Sequence, residues 1–301
     1  MMKKVVLVSM LIFVASCVLD APLDDGEIGG TKGVEVNFMT GHPDSRIYEN
    51  NPVEAVIQLR NRGSYDEPYG KVVLHGYDPS VISFEGQFSG LNYVEKNLPK
   101  LRARSKYLPE GGYDNVRFEA VASNVKVDGG EKYSTNLFAT ACYHYLTTSS
   151  PSICVVPAGA LPSDRSCTPK TITMSSQGAP VAVTEVKSQV ISDRMDVVVT
   201  LEHKGSGRLV SPREESYDNC PLNLRERDLG EVLVDISIDG LPSPDCEDNL
   251  ISLYRDVGRA HCTFDLENID AGGYTTQINI EASYLYTDRT KRAIEIINLG
   301  S

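Results

Sequence analysis

The sequence contains no tryptophan, and aromatic residues make up only 7% of its 301 positions. In antibody domains a buried tryptophan packs against the disulfide that joins the two sheets, so this absence excludes the antibody form of the β-sandwich. No two cysteines stand in the close Cys-x-x-Cys pairs from which zinc sites are usually built. The chain also lacks Asn-x-Ser/Thr, which excludes N-glycosylation by that route.

The chain has fewer basic residues than acidic ones. The chain has 29 lysines and arginines against 41 aspartates and glutamates, a net charge of -12. Nucleic-acid binding needs a basic footprint to displace counterions from phosphates, so that class of function is disfavoured. Residues 178–301 carry most of the excess, with 12 basic and 22 acidic side chains. This pattern is typical of a solvated surface; the alternative is a surface for cations or for a basic partner.

Long hydrophobic runs are scarce, and the mean hydropathy is -0.22. One apolar run, from Val5 to Ala15, follows two lysines near the N-terminus. A basic segment followed by a short apolar run is typical of an export signal, and the run is shorter than the roughly 20 residues of a membrane-spanning helix. The sequence therefore predicts an exported protein.

The apolar run ends in Val14-Ala15-Ser16-Cys17. This motif resembles the lipobox of prokaryotic lipoproteins, in which small residues precede a cysteine that receives a diacylglyceryl group. The resemblance implies a signal segment over 1–17 and a lipid anchor at Cys17 on the outer face of the cell membrane. The acidic, Gly-rich composition of the stretch that follows predicts a flexible tether over 18–32. The alternative is cleavage after Ser16 and release of a secreted protein.

Without Cys17, an even set of cysteines remains. Exported chains meet an oxidising medium, so these six side chains predict three disulfides. Sequence alone does not choose the pairing. We favour Cys246–Cys262 as a local staple, followed by Cys154–Cys167 and Cys142–Cys220. The disulfide candidates are Cys142, Cys154, Cys167, Cys220, Cys246 and Cys262.

The chain contains an internal repeat. Tyr133–Tyr145 (YSTNLFATACYHY) aligns without a gap on Tyr274–Tyr286 (YTTQINIEASYLY), and Val53–Ser64 aligns on Met195–Ser206. Self-similarity of this kind indicates two copies of one structural unit.

The repeat predicts one domain over 33–147 and a second over 178–297, with a connector over 148–177 that bears two cysteines. Three cysteines lie in the second domain, and three lie at the end of the first domain and in the connector. Three is odd in each group, so complete pairing requires at least one bridge between them. We therefore expect the two domains to hold a fixed relative orientation, as a rigid rod.

Each copy is expected to be all-β. In the first copy Val53, Ala55, Ile57 and Leu59 alternate with mostly polar residues, the period of a half-buried strand. In the last strand of each copy the same alternation predicts a core face and turns Cys142 away from it, toward a loop. The predicted core-face residues are Leu137, Ala139, Ala141, Tyr143 and Tyr145, matched by Ile278, Ile280, Ala282, Tyr284 and Tyr286.

Turns and helices are predicted as follows. Gly63 and Gly205 end the matching early strands, and we expect them to supply turns with positive φ. The best helical candidate is Leu91–Leu108, which Pro99 interrupts. Short strands separated by Gly, Pro and Asn turns favour two tandem immunoglobulin-like (Ig-like) β-sandwiches.

The stretch 52–79, PVEAVIQLRNRGSYDEPYGKVVLHGYDP, resembles the Ig-like cell-adhesion-related (CARDB-type) modules of exported bacterial and archaeal proteins. The tandem arrangement, with CYHY at 142–145 and GAPVAVTEV at 178–186, is similar to that of exported proteins of small-genome archaea. The likeness covers roughly four-fifths of the chain. It implies a fold and a surface role, and it assigns no catalytic or binding residue.

Signatures of catalysis and cofactor binding are absent. The sequence has no Gly-x-Ser-x-Gly, no His-Glu-x-x-His and no phosphate-binding Gly-rich loop, and its five histidines are scattered. Cys142 and His144 would form a nucleophilic pair only if Cys142 stayed reduced. The clusters 245–249 and 265–270 contain possible calcium ligands, although solvated turns explain them better. We expect no enzyme activity, no cofactor and no metal.

The leading hypothesis is a non-catalytic, exported cell-surface protein that acts in adhesion, envelope structure or protein–protein interaction, with a protein or envelope polymer as its partner. A first alternative is a module that binds carbohydrate or another ligand, and a second is an enzyme without a recognisable motif. A basic run with two interleaved tyrosines is a candidate contact for anionic head groups or a charged polymer. Its basic residues are Lys96, Lys100, Arg102, Arg104 and Lys106.

Overall fold

A computed structural model describes residues 28–87, 91–123, 132–157, 159–266 and 272–298. The all-β prediction is confirmed. In the described part of the chain the helical elements are α1 (Glu214–Asn219) and a 3₁₀ helix (Glu226–Asp228), which the sequence analysis did not predict. Leu91–Leu108, the best helical candidate, contains a strand and no helix.

The described residues form eighteen strands. The first eight are β1 (Val34–Phe38), β2 (Arg46–Tyr48), β3 (Pro52–Asn61), β4 (Gly70–His75), β5 (Ile82–Phe84), β6 (Tyr93–Asn97), β7 (Tyr113–Ala122) and β8 (Lys132–Ser149). The others are β9 (Ser152–Val155), β10 (Ile172–Thr173), β11 (Val181–Ile191), β12 (Arg194–His203), β13 (Arg208–Val210), β14 (Glu231–Ile238), β15 (Asp245–Cys246), β16 (Leu250–Ser252), β17 (Val257–Asp265) and β18 (Tyr274–Ile297).

The strands form three sheets. A four-stranded sheet has the order β1-β3-β7-β5, and a five-stranded sheet has the order β10-β11-β12-β17-β15. A nine-stranded sheet has the order β16-β14-β18-β8-β4-β6, with β2, β9 and β13 also paired to β18. We call it the shared sheet, because both halves of the chain contribute strands to it. One cluster of buried side chains includes residues of all three sheets, so the layers pack like a sandwich.

The shared sheet is built on the antiparallel pair β8 and β18. Their register runs without a shift from Lys132 opposite Ile297 to Ser149 opposite Ile280. The end of β18 therefore lies beside the beginning of β8, in the part of the sheet that β4 and β6 complete. The end of β8 lies beside the beginning of β18, next to β14. Each half thus contributes part of a long strand to the sheet of the other half.

Four buried tyrosines lie at the centre of this pair. Tyr143 is opposite Tyr286, and Tyr145 is opposite Tyr284, so the positions that align in the repeat are related by a local two-fold arrangement. Neighbouring ring centroids are 5.9–6.4 Å apart. Aromatic rings at such distances attract one another beyond the effect of burial alone.

The tyrosine hydroxyls also accept hydrogen bonds from the backbone. The Val34 N–H donates to Tyr143 Oη at 2.8 Å, and the Val181 N–H donates to Tyr284 Oη at 3.2 Å. Val34 and Val181 are the first residues of β1 and β11, which begin the two copies of the repeat. Burial raises the pKa of both hydroxyls, so they remain protonated. These bonds satisfy buried N–H groups at the start of each copy.

Gly63 and Gly205 do not have the positive φ that the sequence suggested. Their role is steric. A Cβ on Gly63 would lie well under 3.0 Å from Tyr145 Oη, and a Cβ on Gly205 would lie well under 3.0 Å from Tyr286 Oη. Tyr145 and Tyr286 occupy matching positions in the repeat, so the same close approach of backbone to hydroxyl occurs twice. A position where another group approaches the backbone closely requires glycine, just as a position with positive φ favours it.

Residues 148–177, predicted as a connector, contain two short strands. β9 pairs with the start of β18, and β10 pairs with β11. Cys154 and Cys167 form a disulfide within this segment, with Cα atoms 5.8 Å apart. The segment is thus attached at several points to strands of the second copy.

Candidate functional site

The candidate site lies on the face of the shared sheet that is turned away from the four tyrosines, here called the outer face. Side chains alternate along a strand, so Thr140, Cys142 and His144 of β8 lie on this face, together with Thr287 and Arg289 of β18. Residues 211–229, which include both short helices, cover part of it. We call these residues the cover segment.

A disulfide attaches the cover segment to the sheet. Cys142 of β8 is bonded to Cys220, which follows α1, and the two Cα atoms are 6.3 Å apart. Cys142 is fully buried beneath the segment. The remaining cysteines pair as Cys154–Cys167 and Cys246–Cys262. These are the three pairs that the sequence analysis favoured, and Cys142–Cys220 is the bridge between the two halves that the odd counts required.

Asp228 organises the inside of the cover segment. Its carboxylate accepts hydrogen bonds from the Arg225 backbone N–H at 2.8 Å and from the Ser216 hydroxyl at 3.1 Å. The Arg225 guanidinium also contacts this carboxylate and Glu215. The backbone hydrogen bond from Arg225, followed by the side-chain bonds from Arg225 and Ser216, outweighs desolvation and lowers the pKa of the Asp228 carboxyl.

This arrangement predicts a dependence on pH. A carboxyl whose pKa is lower in the folded state stabilises the fold above its unfolded pKa, and this contribution is lost as the pH falls through the folded value. We therefore expect the decrease in Tm between about pH 5 and pH 2 to be smaller in Asp228→Asn than in the unchanged protein. Thermal unfolding at both pH values measures this decrease in Tm. The exposed Asp235→Asn is the control, and an equal decrease in Asp228→Asn and the unchanged protein would contradict the assignment.

Three rings form an aromatic stack on one side of the Cys142–Cys220 bridge. The Tyr69 and His144 rings are stacked with centroids 4.3 Å apart, and the Tyr217 ring of the cover segment lies 5.4 Å from His144. Lys71 Nζ lies 5.2 Å from the Tyr217 centroid. Burial lowers the pKa of His144, so its ring is uncharged at neutral pH. Tyr69 is 57% exposed and offers one ring to solvent.

A cavity of about 270 Å³ lies on the other side of the bridge, between the outer face and the chain from Ser206 to Leu224. His75 Nε2 is 3.2 Å from Thr140 Oγ1 inside it, and the His75 ring is stacked on Phe138. The cavity is lined by His75, Thr140, Ser206, Gly207, Arg208, Pro221, Leu224, Thr287, Asp288 and Arg289.

Neither the stack nor the cavity was predicted from sequence. Tyr69, His144 and Tyr217 come from three distant parts of the chain, as do His75, Arg208 and Arg289. Tyr69, His75 and His144 lie in the stretches that carry the family resemblance, but no local pattern indicates that these side chains meet residues from distant parts of the chain. The available signal was Cys142, which pointed to a loop partner on the outer face.

The predicted anchor, Cys17, lies outside the described residues. The predicted basic run does not form one free patch. Lys96 donates to the Arg117 carbonyl, Lys100 pairs with Glu67, and Arg104 donates to the Pro109 carbonyl. Three of the five basic side chains of the run therefore have partners within the first half.

The residues considered as metal ligands or as a nucleophile form other interactions in the structure. Glu247, in the first acidic cluster, pairs with His261 at 2.8 Å, and the second cluster lies largely outside the described residues. Across the described ranges, no three His, Cys, Asp or Glu side chains are grouped as metal ligands. Cys142 carries no thiol to pair with His144, because it is in a disulfide. The described residues also contain no helix with the length and apolar character needed to cross a membrane.

No family model and no curated protein matches the sequence. Among solved structures, Escherichia coli alpha-2-macroglobulin activated by porcine elastase aligns with 88% of this chain at 9% identity and a TM-score of 0.18. The chain spans 22% of the length of that protein. A similarity at this level supports no inference about fold or function. The resemblance to CARDB-type modules stays a prediction.

Proposed function

We propose that the chain is a non-catalytic protein of the cell surface, in which two Ig-like β-sandwiches form one rigid body that presents a binding face away from the membrane. The observation that carries the proposal is the double connection between the halves. β8 and β18 pair along their whole common length, and Cys142–Cys220 adds a covalent link. Such a body keeps its shape under load, which suits adhesion, envelope structure or contact with a protein or envelope-polymer partner.

The disulfides fit an oxidising, extracellular environment, since cytosolic proteins rarely keep such bonds. The acidic excess in 178–301 gives the second half a solvated surface. On this proposal the segment 1–17 directs export and Cys17 carries the lipid. The predicted tether, 18–32, is too long at its C-terminal end, because residues 29 and 30 lie against the body: the Gly30 N–H donates to Ser176 Oγ at 3.0 Å, and the Gly29 carbonyl accepts from Arg104 at 3.2 Å.

The anchor is tested with the full chain and the variant Cys17→Ser, expressed in a prokaryotic host that processes lipoproteins. We expect the unchanged protein to enter the detergent-rich phase on phase separation and Cys17→Ser to remain in the aqueous phase. Ser16→Ala keeps a small residue at the same place and serves as the control. Equal partition of the unchanged protein and Cys17→Ser would exclude the lipid anchor.

Binding at the surface is tested separately with the Cys17→Ser protein that is recovered in the aqueous phase. We expect it to sediment with isolated cell envelopes in a saturable way. If it stays in the supernatant at all concentrations, the proposed interaction with the envelope is wrong, whatever the result for the anchor.

Binding of carbohydrate is a second candidate, favoured by the exposed Tyr69 ring on the aromatic stack. An exposed aromatic ring next to polar side chains is a suitable platform for the apolar face of a sugar. Binding of a neutral polysaccharide that is lost in Tyr69→Ala, and kept when the exposed Tyr254 is changed to Ala, would support this candidate.

A further inference from the structure

The cavity on the outer face brings together side chains that donate hydrogen bonds or carry positive charge. Its lining includes two guanidinium groups, from Arg208 and Arg289, and the imidazole of His75. The hydroxyls of Thr140 and Thr287 lie on the same wall. This composition differs from that of the second half as a whole, where acidic residues outnumber basic ones almost two to one.

The strand register explains why the two arginines face the same space. Arg208 of β13 is directly opposite Thr287 of β18, and Arg289 is directly opposite Thr140 of β8. Residues opposite each other in an antiparallel pair project to the same side of the sheet. Both arginines therefore lie on the outer face, on strands that come from different parts of the chain.

Phe138 positions two of the groups. The Arg289 guanidinium lies 5.1 Å from the centroid of the Phe138 ring, and the His75 ring is stacked on the same phenylalanine at 5.5 Å. A cation over an aromatic face is held in place without losing its charge. Burial, followed by the charge of Arg289, lowers the pKa of His75, so the imidazole is uncharged at neutral pH and does not repel the guanidinium groups.

Neither guanidinium in the cavity forms an ion pair with a carboxylate of the described residues. The nearby arginines of the cover segment behave differently, since Arg213 pairs with Glu231 and Arg227 with Glu215. One lining residue, Asp288, has a carboxylate. Alternation places Asp288 on the face of Tyr286, and its side chain accepts a hydrogen bond from the Arg289 backbone N–H at 2.8 Å.

We propose that this cavity binds an oxyanion, a phosphate or sulfate group, between the guanidinium groups of Arg208 and Arg289, with the Thr140 and Thr287 hydroxyls as further donors. Guanidinium groups favour such anions because their N–H donors match the oxygen geometry. A volume of about 270 Å³ admits one such group with a small part of its carrier. The inference goes beyond the proposed surface role and does not depend on the lipid anchor.

The Cys142–Cys220 bridge holds the cavity open before any ligand binds. Cys142 follows Thr140 by two residues on β8, and Pro221, which lines the cavity, follows Cys220 directly. The bridge therefore fixes the distance between one wall and the outer face. A preformed site loses less conformational freedom on binding, which favours affinity for a small ligand.

The test is calorimetric titration of the Cys17→Ser protein at low ionic strength, with inorganic phosphate, inorganic sulfate and chloride as separate probes. We expect saturable binding of phosphate or sulfate and none of chloride. In Arg208→Gln/Arg289→Gln the affinity should fall at least tenfold. Arg259→Gln, which removes an exposed arginine of β17 in another sheet, should bind as the unchanged protein does.

Two further measurements keep the test decisive. If the double variant does not fold, the exposed single variant Arg208→Gln is used and is expected to weaken binding in the same direction. Titration with polyglycerol phosphate, compared with inorganic phosphate, shows whether the cavity prefers the phosphate group free or on a polymer. Uncharged polyglycerol is the control for binding of the polymer alone. Absence of saturable binding with every anionic probe, or equal binding by Arg208→Gln, would overturn the proposal. Failure to sediment with envelopes would not affect it.

Discussion

Replacing Gly63 with alanine should strongly destabilise the protein. A Cβ at this position would collide with Tyr145 Oη and with the backbone carbonyl of Gly178, and a backbone carbonyl does not move aside as the end of a side chain does. Gly63 is buried, so the added methyl group cannot avoid these contacts by pointing into solvent. Overpacking of this kind forces backbone shifts, and we expect a loss of about 3 kcal/mol in the free energy of unfolding.

Urea denaturation of Gly63→Ala measures this loss. Gly29→Ala is the matched control, because the nearest atom to its added Cβ is the Ser176 carbonyl oxygen at 3.9 Å, an ordinary contact. We expect that control to lie within about 0.5 kcal/mol of the unchanged protein. If Gly63→Ala were as stable as Gly29→Ala, the steric role of Gly63 would be wrong.

The repeat provides an internal check of the same idea. Gly205→Ala meets Tyr286 Oη in the second copy, so it should also destabilise the fold. Combining it with Tyr286→Phe removes the closest atom, and we expect the double variant to recover part of the loss. Absence of any recovery would show that the other close contacts of the added Cβ, with Tyr286 Cζ at 2.9 Å and Pro180 Cβ at 3.0 Å, set the cost rather than the hydroxyl.

Removal of the Cys142–Cys220 bridge should be the most costly loss among the three disulfides. This bridge closes a loop with a sequence separation of 78, against 13 for Cys154–Cys167 and 16 for Cys246–Cys262. In the chain-entropy account the stabilisation grows with loop length, to about 4.5 kcal/mol for the long loop and about 3 kcal/mol for the short ones.

The measurement is the free energy of unfolding of Cys142→Ala/Cys220→Ala compared with that of Cys246→Ala/Cys262→Ala. Hydrogen exchange adds a local readout: the cover segment should lose protection in the first variant and keep it in the second. A larger loss of stability in the Cys246–Cys262 variant, with the cover segment still protected in both, would refute the role given to the long bridge.

The halves should nevertheless remain joined when that bridge is absent. β8 and β18 stay paired through backbone hydrogen bonds along the shared sheet, and the four tyrosine rings stay packed across the pair. The disulfide and the strand pair therefore have separate tasks. The strand pair unites the halves, and the disulfide holds the cover segment on the outer face.

The core-facing side of each long strand could be predicted from the sequence, because buried and exposed residues alternate along a strand. All of the predicted core-face residues of β8 and β18 are buried, including Tyr143 and Tyr284. The same alternation directed Cys142 to the opposite face, where its partner was found. The parity of the cysteines then required a bridge between the halves, which Cys142–Cys220 supplies.

The alternation of buried residues did not predict which strands pair with each other. Ile294 and Ile296 are buried on either side of Glu295, a two-residue spacing that indicates a strand but does not identify its neighbour. The structure places this part of β18 beside the start of β8, with the strands of the first half, although its place in the sequence assigns it to the second domain. The role of Gly63 was misread for a related reason, because the tyrosine that excludes a side chain there is distant in sequence.

The sequence by itself determined the class of the fold, the core faces, the repeat and the need for a bridge between the halves, because each of these depends on local periodicity or on counting. Tertiary structure alone decided which strands pair, why a glycine faces a tyrosine hydroxyl in each copy of the repeat, and where His75, Arg208 and Arg289 meet. Hydrogen bonding between strands and the convergence of side chains on a cavity depend on contacts between distant residues, and no local pattern encodes them.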